Sequence, residues 1–195
     1  MERLGDRFAL ALAALALIFL AGAVYAGTKM RPARTEYTLT VDTSVSDGVV
    51  EAQGTTNLPS GARLIVVVDR LYRLKGSGTW QAARVGEGAA VVEDGRWSAT
   101  IPVADDTWVE EVAERMNRRE IQPIEAIQPR LRTTVIFSPL LEQEPSVRRA
   151  LGPDGAGLAA SDAAMQVGSH WVIRSETTAD WPLHLEFERA LLAAR

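Results

Sequence analysis

The stretch GTTNLPSGARLIVVVD, residues 54–69, joins a tight corner to a buried strand. Asn57 tolerates left-handed dihedrals, Pro59 presets φ, and Gly61 permits a positive φ. Gly61 is therefore expected to be a position that tolerates no side chain. Leu64 to Val68 then carries apolar side chains at every position, so a strand there is apolar on both faces. Such a strand is central and covered on both sides, or it lies against another surface.

Working outward, the pattern around the corner has a period of two. Tyr37, Leu39 and Val41 alternate with Thr38, Thr40 and Asp42. Asp47-Gly48 is a turn signal, followed by a strand from Val49 to Gln53. After the corner, strands are expected at Trp80 to Val85, Ala89 to Glu93 and Arg96 to Val103. Asp94-Gly95 between the last two is a two-residue hairpin signal. Arg132 to Ser138 and Val167 to Arg174 complete the set. Short strands with closely spaced turns predict an antiparallel β-sandwich.

One segment breaks this pattern. Thr107 to Arg119 reads as an inserted helix, with Thr107 and Glu110 in capping-box spacing and acids before arginines, as the helix dipole favours. Trp108, Val109, Val112 and Met116 share one face and form a candidate interface. Pro123 and Pro129 enforce an extended return. Weaker helices are expected near Glu144 to Leu151 and Pro182 to Ala194.

The amino-terminal part is of another kind. Phe8 to Gly27, FALALAALALIFLAGAVYAG, is a run of 20 residues without a charge. As a helix it would be about 30 Å long, the thickness of a hydrocarbon core. Val24-Tyr-Ala26 also fits a small-x-small signal cleavage site. The length of the run favours a retained signal-anchor, giving a transmembrane helix over 1–27, a basic linker over 28–36 and a head over 37–195. Gly5, Ala9, Ala13, Ala16, Ala23 and Gly27 fall on one helical face, where small residues let another helix approach. Arg3 and Arg7 precede the span, and Lys29, Arg31 and Arg34 follow it, a near tie in flanking positive charge. The exported character of the head favours a single pass through a bacterial inner membrane with the head in the periplasm.

The corner carries a resemblance. GTTNLPSGARLIVVV, preceded by VVEAQ, resembles a G-x-T-N-L-P-x-G turn linking two core strands in bacterial envelope proteins with an immunoglobulin-like β-sandwich. Gln143-Glu-Pro-Ser-Val147, followed by Gly152-Pro-Asp-Gly155, is similar to a second segment of that family. The resemblance covers about half of the chain. It implies an extracytoplasmic immunoglobulin-like sandwich that binds something, and it carries no activity and no catalytic residues. This chain departs from the family in having the long helix at Thr107 to Arg119 and no lipobox cysteine.

Composition limits the chemistry. The chain has 195 residues, 47% of them hydrophobic, a formal net charge of -4 and no cysteine. The acidic balance argues against nucleic acid as a partner. The two histidines, His170 and His184, lack metal-ligand spacing. Glu110 and Glu111 are adjacent on the helix and face apart. GPDGAG at 152–157 lacks the lysine and strand–loop–helix context of a phosphate loop. These observations predict no catalytic residue, no metal and no cofactor. Of five tryptophans, one or two are expected to be core anchors and the rest to lie at interfaces. The expected function is that of a non-catalytic accessory subunit. It would belong to a larger membrane protein complex, photosynthetic or respiratory by analogy, in contact with the lipid bilayer. The alternative is an anchored binding module for cell wall, glycan or a small ligand.

Overall fold

The computed structural model describes residues 35–184 together with Glu188, Arg189 and Leu191. The run Phe8 to Gly27, the small residues Gly5, Ala9, Ala13, Ala16, Ala23 and Gly27, and much of the expected terminal helix lie outside the described residues. Among the described residues no helix is long and apolar enough to cross a membrane.

Thr35–Arg195 forms one compact unit, and its described part is mainly β. The strands are β1 (Asp42–Ser46), β2 (Val49–Thr55), β3 (Arg63–Leu74), β4 (Trp80–Val91) and β5 (Arg96–Pro102). After helix α1 (Asp105–Asn117) come β6 (Ile124–Phe137), helix α2 (Pro145–Leu151), β7 (Ala164–Val167) and β8 (His170–Asp180). They form two antiparallel sheets, ordered β1-β2-β5 and β4-β3-β6-β8-β7. The two sheets enclose a common core that includes Val50 and Ile101 from the first and Leu64, Val66, Val68, Val135 and Ile173 from the second.

Asp94 and Gly95 both take positive φ, as a type I′ turn requires. Yet Glu93 and Arg96 form a single bridge, after which β4 and β5 part into different sheets. The hairpin signal is thus used to cross between layers. The separate strand expected at Ala89 to Glu93 is the end of β4, which continues past Val85 through a register shift opposite Val68/Asp69.

The corner is closed by hydrogen bonds to its own side chains. Asn57 Oδ1 accepts from the Thr38 N–H at 2.7 Å, and Asn57 Nδ2 donates to the Glu36 carbonyl at 2.8 Å. Thr56 Oγ1 donates to the Thr38 carbonyl at 2.6 Å and accepts from the Leu58 N–H at 3.1 Å. Leu58 is thereby held in the core. Gln143 is also buried. Its amide takes the place of a strand beside Arg63, accepting from the Arg63 N–H at 2.8 Å and donating to the Arg63 carbonyl at 2.9 Å. The incoming chain is tied at the same end, where the Tyr37 N–H donates to Ser161 Oγ at 2.6 Å. The last strand, β8, runs away from this end, and Leu183 and Leu191 after it still pack into the core.

Gly61 has φ +84°, and a Cβ there would lie 2.5 Å from Glu144 Oε2. Glu144 is exposed and can swing aside, so the backbone conformation sets the cost. Gly61→Val is expected to destabilise the head by more than about 1 kcal/mol, and Gly61→Asn by less, since Asn adopts left-handed dihedrals more readily. Urea midpoints of the two variants test this; an unchanged midpoint for the valine variant would contradict it.

Helix α1 corrects two expectations. It starts at Asp105, with Ala104 at the N-cap and no side-chain cap. Thr107 therefore sits inside the first turn, and the expected capping box does not form. Asp105 and Asp106 supply the negative charge that the helix dipole favours there. The face formed by Trp108, Val109, Val112 and Met116 is buried in the head's own core. Trp108 meets Tyr72 of β3 at a ring-centroid distance of 5.7 Å. Burying each of these side chains is worth about 1.5–3 kcal/mol relative to exposure. The proposed interface on this face is thus used up by folding.

The same end of the head is held by a buried ion pair. Arg70 is fully buried. Its Nη2 and Nε donate to Asp105 at 2.6 and 3.2 Å, and its Nη1 donates to the carbonyls of Trp181 at 2.6 Å and Gln128 at 3.3 Å. Trp181 Nε1 donates to the same Asp105 carboxylate at 3.2 Å. One guanidinium therefore joins β3, the start of α1, β6 and the segment after β8.

Candidate functional site

In an ordinary two-sheet fold the outer faces are polar. The outer face of the three-stranded sheet follows that rule: its rows Asp42–Gln53–Ser98 and Ser44–Glu51–Thr100 contain no apolar residue. The outer face of the five-stranded sheet does not. With Leu64, Val66 and Val68 turned to the core, Ile65 and Val67 must turn outward. The register places Ile65 between Ala89 of β4 and Ile136 of β6. Val91 lies opposite Arg63, Met165 opposite Val172, and Val167 opposite His170. All of these positions are at the corner end of the sheet. They put apolar side chains on the outer face of all five strands, interrupted by Arg63 of β3 and Arg174 of β8, over a width of about 19 Å at the usual strand spacing.

This apolar surface is open at its two ends. Val91, Met165 and Val167 are 46%, 45% and 52% exposed, far more than a folded head requires of such residues. Leu140, just beyond β6, is 69% exposed. β7 is also the last strand of its sheet and carries no further pairing partner among the described residues. Exposed apolar surface rimmed by polar groups is characteristic of protein contact sites.

Most of the charges beside this surface are paired. Arg132 meets Asp69 at 2.8 Å, Arg84 meets Glu87 at 2.5 Å, and Arg174 pairs with Glu176. Arg63, exposed opposite Val91, has no ion-pair partner among the described residues. The exposed pairs Arg84–Glu87 and Arg174–Glu176 contribute about 0–1 kcal/mol each to stability. Their larger effect is to reduce the charge beside the apolar surface.

The histidines do not form a site. His170 begins β8 and His184 follows its end, and the strand between them spans about 30 Å. Among the described residues no group of three or more His, Asp or Glu side chains is placed to hold a metal ion. Of the tryptophans, Trp97 and Trp108 are buried, and Trp171 and Trp181 pack partly buried against the core. Trp80 is 43% exposed, with the Arg73 guanidinium 5.2 Å from its ring.

Comparison with protein-family models, with curated proteins and with solved structures finds no match.

Sequence reasoning missed the apolar surface itself. The signal was present in the apolar run Leu64 to Val68, whose two apolar faces called for a second covering surface. Ile136, Met165, Val167 and Val172 come from separate segments, and only the strand order brings them beside Ile65.

Proposed function

We propose that the protein is a non-catalytic, single-span accessory subunit of a larger membrane protein complex. In this reading Phe8 to Gly27 crosses a bacterial inner membrane. The head is an immunoglobulin-like sandwich in the periplasm. It docks on its partner through the outer face of the five-stranded sheet. The observation that carries the reading is the apolar surface on all five strands, exposed at Val91, Met165 and Val167 and bordered mostly by paired charges. Such a face loses little by desolvation when covered.

Purification of the full chain from membranes in mild detergent tests this. An integral membrane complex is expected to co-purify in fixed ratio. Met165→Lys with Val167→Lys places two charges on exposed positions of β7, so the fold is preserved while the face is blocked. Burying an unpaired charge at a contact costs several kcal/mol, so recovery of the partner is expected to fall by more than about tenfold. Ser44→Lys on the opposite, polar face is expected to leave recovery unchanged. Recovery of the wild type without a stoichiometric partner, or a β7 variant that keeps its partner, would defeat the proposal.

A further inference from the structure

We infer that the outer face of the three-stranded sheet holds a second site: an open groove that binds a short neutral oligosaccharide. The groove encloses about 960 Å³ between this sheet, the end of β4 and the Glu93–Arg96 turn. A smaller hollow of about 170 Å³ adjoins it, sharing Asp42, Gln53 and Ser98. From Thr55 to Glu51 along β2 the two together run about 13 Å.

The lining mixes apolar surface with polar side chains, most of which are free to bond a ligand. Thr40 and Thr55 bond to each other across the groove head, with their hydroxyls 3.0 Å apart. Among the described residues, the side chains of Gln53, Glu93, Asp94, Arg96 and Ser98 make no internal hydrogen bond or ion pair. Asp42, Gln53 and Ser98 lie side by side on three adjacent strands. Carboxylate, amide and hydroxyl thus follow one another at strand spacing, about 4.8 Å apart. That order of acceptor, mixed donor–acceptor and hydroxyl matches a ligand that presents a row of hydroxyl groups, each able to donate and to accept.

Charge and shape narrow the class. Asp42, Glu93 and Asp94 outnumber the one guanidinium of the lining, Arg96, so the groove repels phosphates and acidic polymers. Trp97 at its base is only 4% exposed, with its Nε1 donating to the Thr40 carbonyl at 3.2 Å. Among the described lining residues no aromatic ring is therefore offered for stacking, which disfavours flat aromatic ligands. Ala89 and Val91, both exposed, give the groove an apolar wall, suited to the C–H face of a sugar ring. The groove meets the docking face at this wall, whereas Gln53 and Arg96 belong to the other sheet, so different variants test the two sites.

The test uses the full chain in lipid nanodiscs, so that no glycoside detergent competes. Cellotetraose and chitotetraose are the probes, followed by saturation-transfer NMR. Saturable binding of at least one is expected. Gln53→Ala and Arg96→Ala, both at exposed positions, are each expected to weaken it about tenfold. The Met165→Lys, Val167→Lys variant is expected to bind as the wild type does. Absence of saturable binding of both probes at about 10 mM, where even a weak site of a few kcal/mol is occupied, would overturn the inference. So would binding that survives both groove variants, or tighter binding of an acidic oligosaccharide such as tetragalacturonate.

Discussion

Gly54→Ala is expected to destabilise the head by about 2–4 kcal/mol, although it adds a single methyl group. The reason is space. A Cβ at Gly54 would stand 2.0 Å from the Thr40 carbonyl oxygen and 2.8 Å from Trp97 Nε1. The first of these is backbone and cannot rotate away. The segment around Thr40 would have to lift off β2, breaking the Thr40 N–H to Thr55 carbonyl bond of 2.9 Å and the Trp97 bond to Thr40. Gly88→Ala is the discriminating comparison. Its Cβ would meet Ile101 Cγ1 at 2.9 Å, a side-chain atom that can yield. Urea unfolding of Thr35–Arg195, followed by tryptophan fluorescence, should show a clearly larger loss for Gly54→Ala. Equal midpoints for the two variants would mean that the incoming segment is easily displaced.

The second large effect is expected at Arg70. Arg70→Met removes the guanidinium that pairs with the Asp105 carboxylate and leaves the Trp181 and Gln128 carbonyls without this donor. Breaking one side of a buried pair costs about 3–5 kcal/mol, because the remaining charge stays buried without compensation. The double variant Arg70→Met, Asp105→Leu is expected to recover part of this loss and not all of it. It removes the orphaned carboxylate, but the two carbonyls still lack a donor. The same unfolding measurement decides it. A double variant no better than Arg70→Met would show that the carbonyls, and not the carboxylate, carry the cost.

Arg70 also shows how far the sequence could be read. The alternation Leu64, Val66, Val68 points inward, and two more steps of the same period place Arg70 inward as well. A strand ended at Val68 hides this. The corner was legible at Gly61, which acts locally through its own positive φ. Asn57 was read for a left-handed dihedral that it does not take; it acts instead by bonding Thr38 and Glu36, far from it in sequence. The layer crossing at Asp94-Gly95 was not legible, because a type I′ turn looks the same whether its strands stay paired or part. The apolar face of α1 was read correctly as a face, but an amphipathic pattern does not say what covers it. Here Tyr72 and the core cover it, and the free apolar surface lies on the sheet instead. That surface depends on the order β4-β3-β6-β8-β7, a long-range property that no local pattern contains.

The opposed ends at which β1 begins and β8 finishes have a mechanical consequence. The segment leading into β1 is tied at the corner end, and β8 runs toward the other. A pull applied between Tyr37 and Asp180 would act along the strand axes of β1 and β8. The bonds joining β1 to β2 and β8 to β6 would then be loaded together, in shear, and would not open one at a time like a zip. Sheets built in this way bear tension between those two points without first peeling apart.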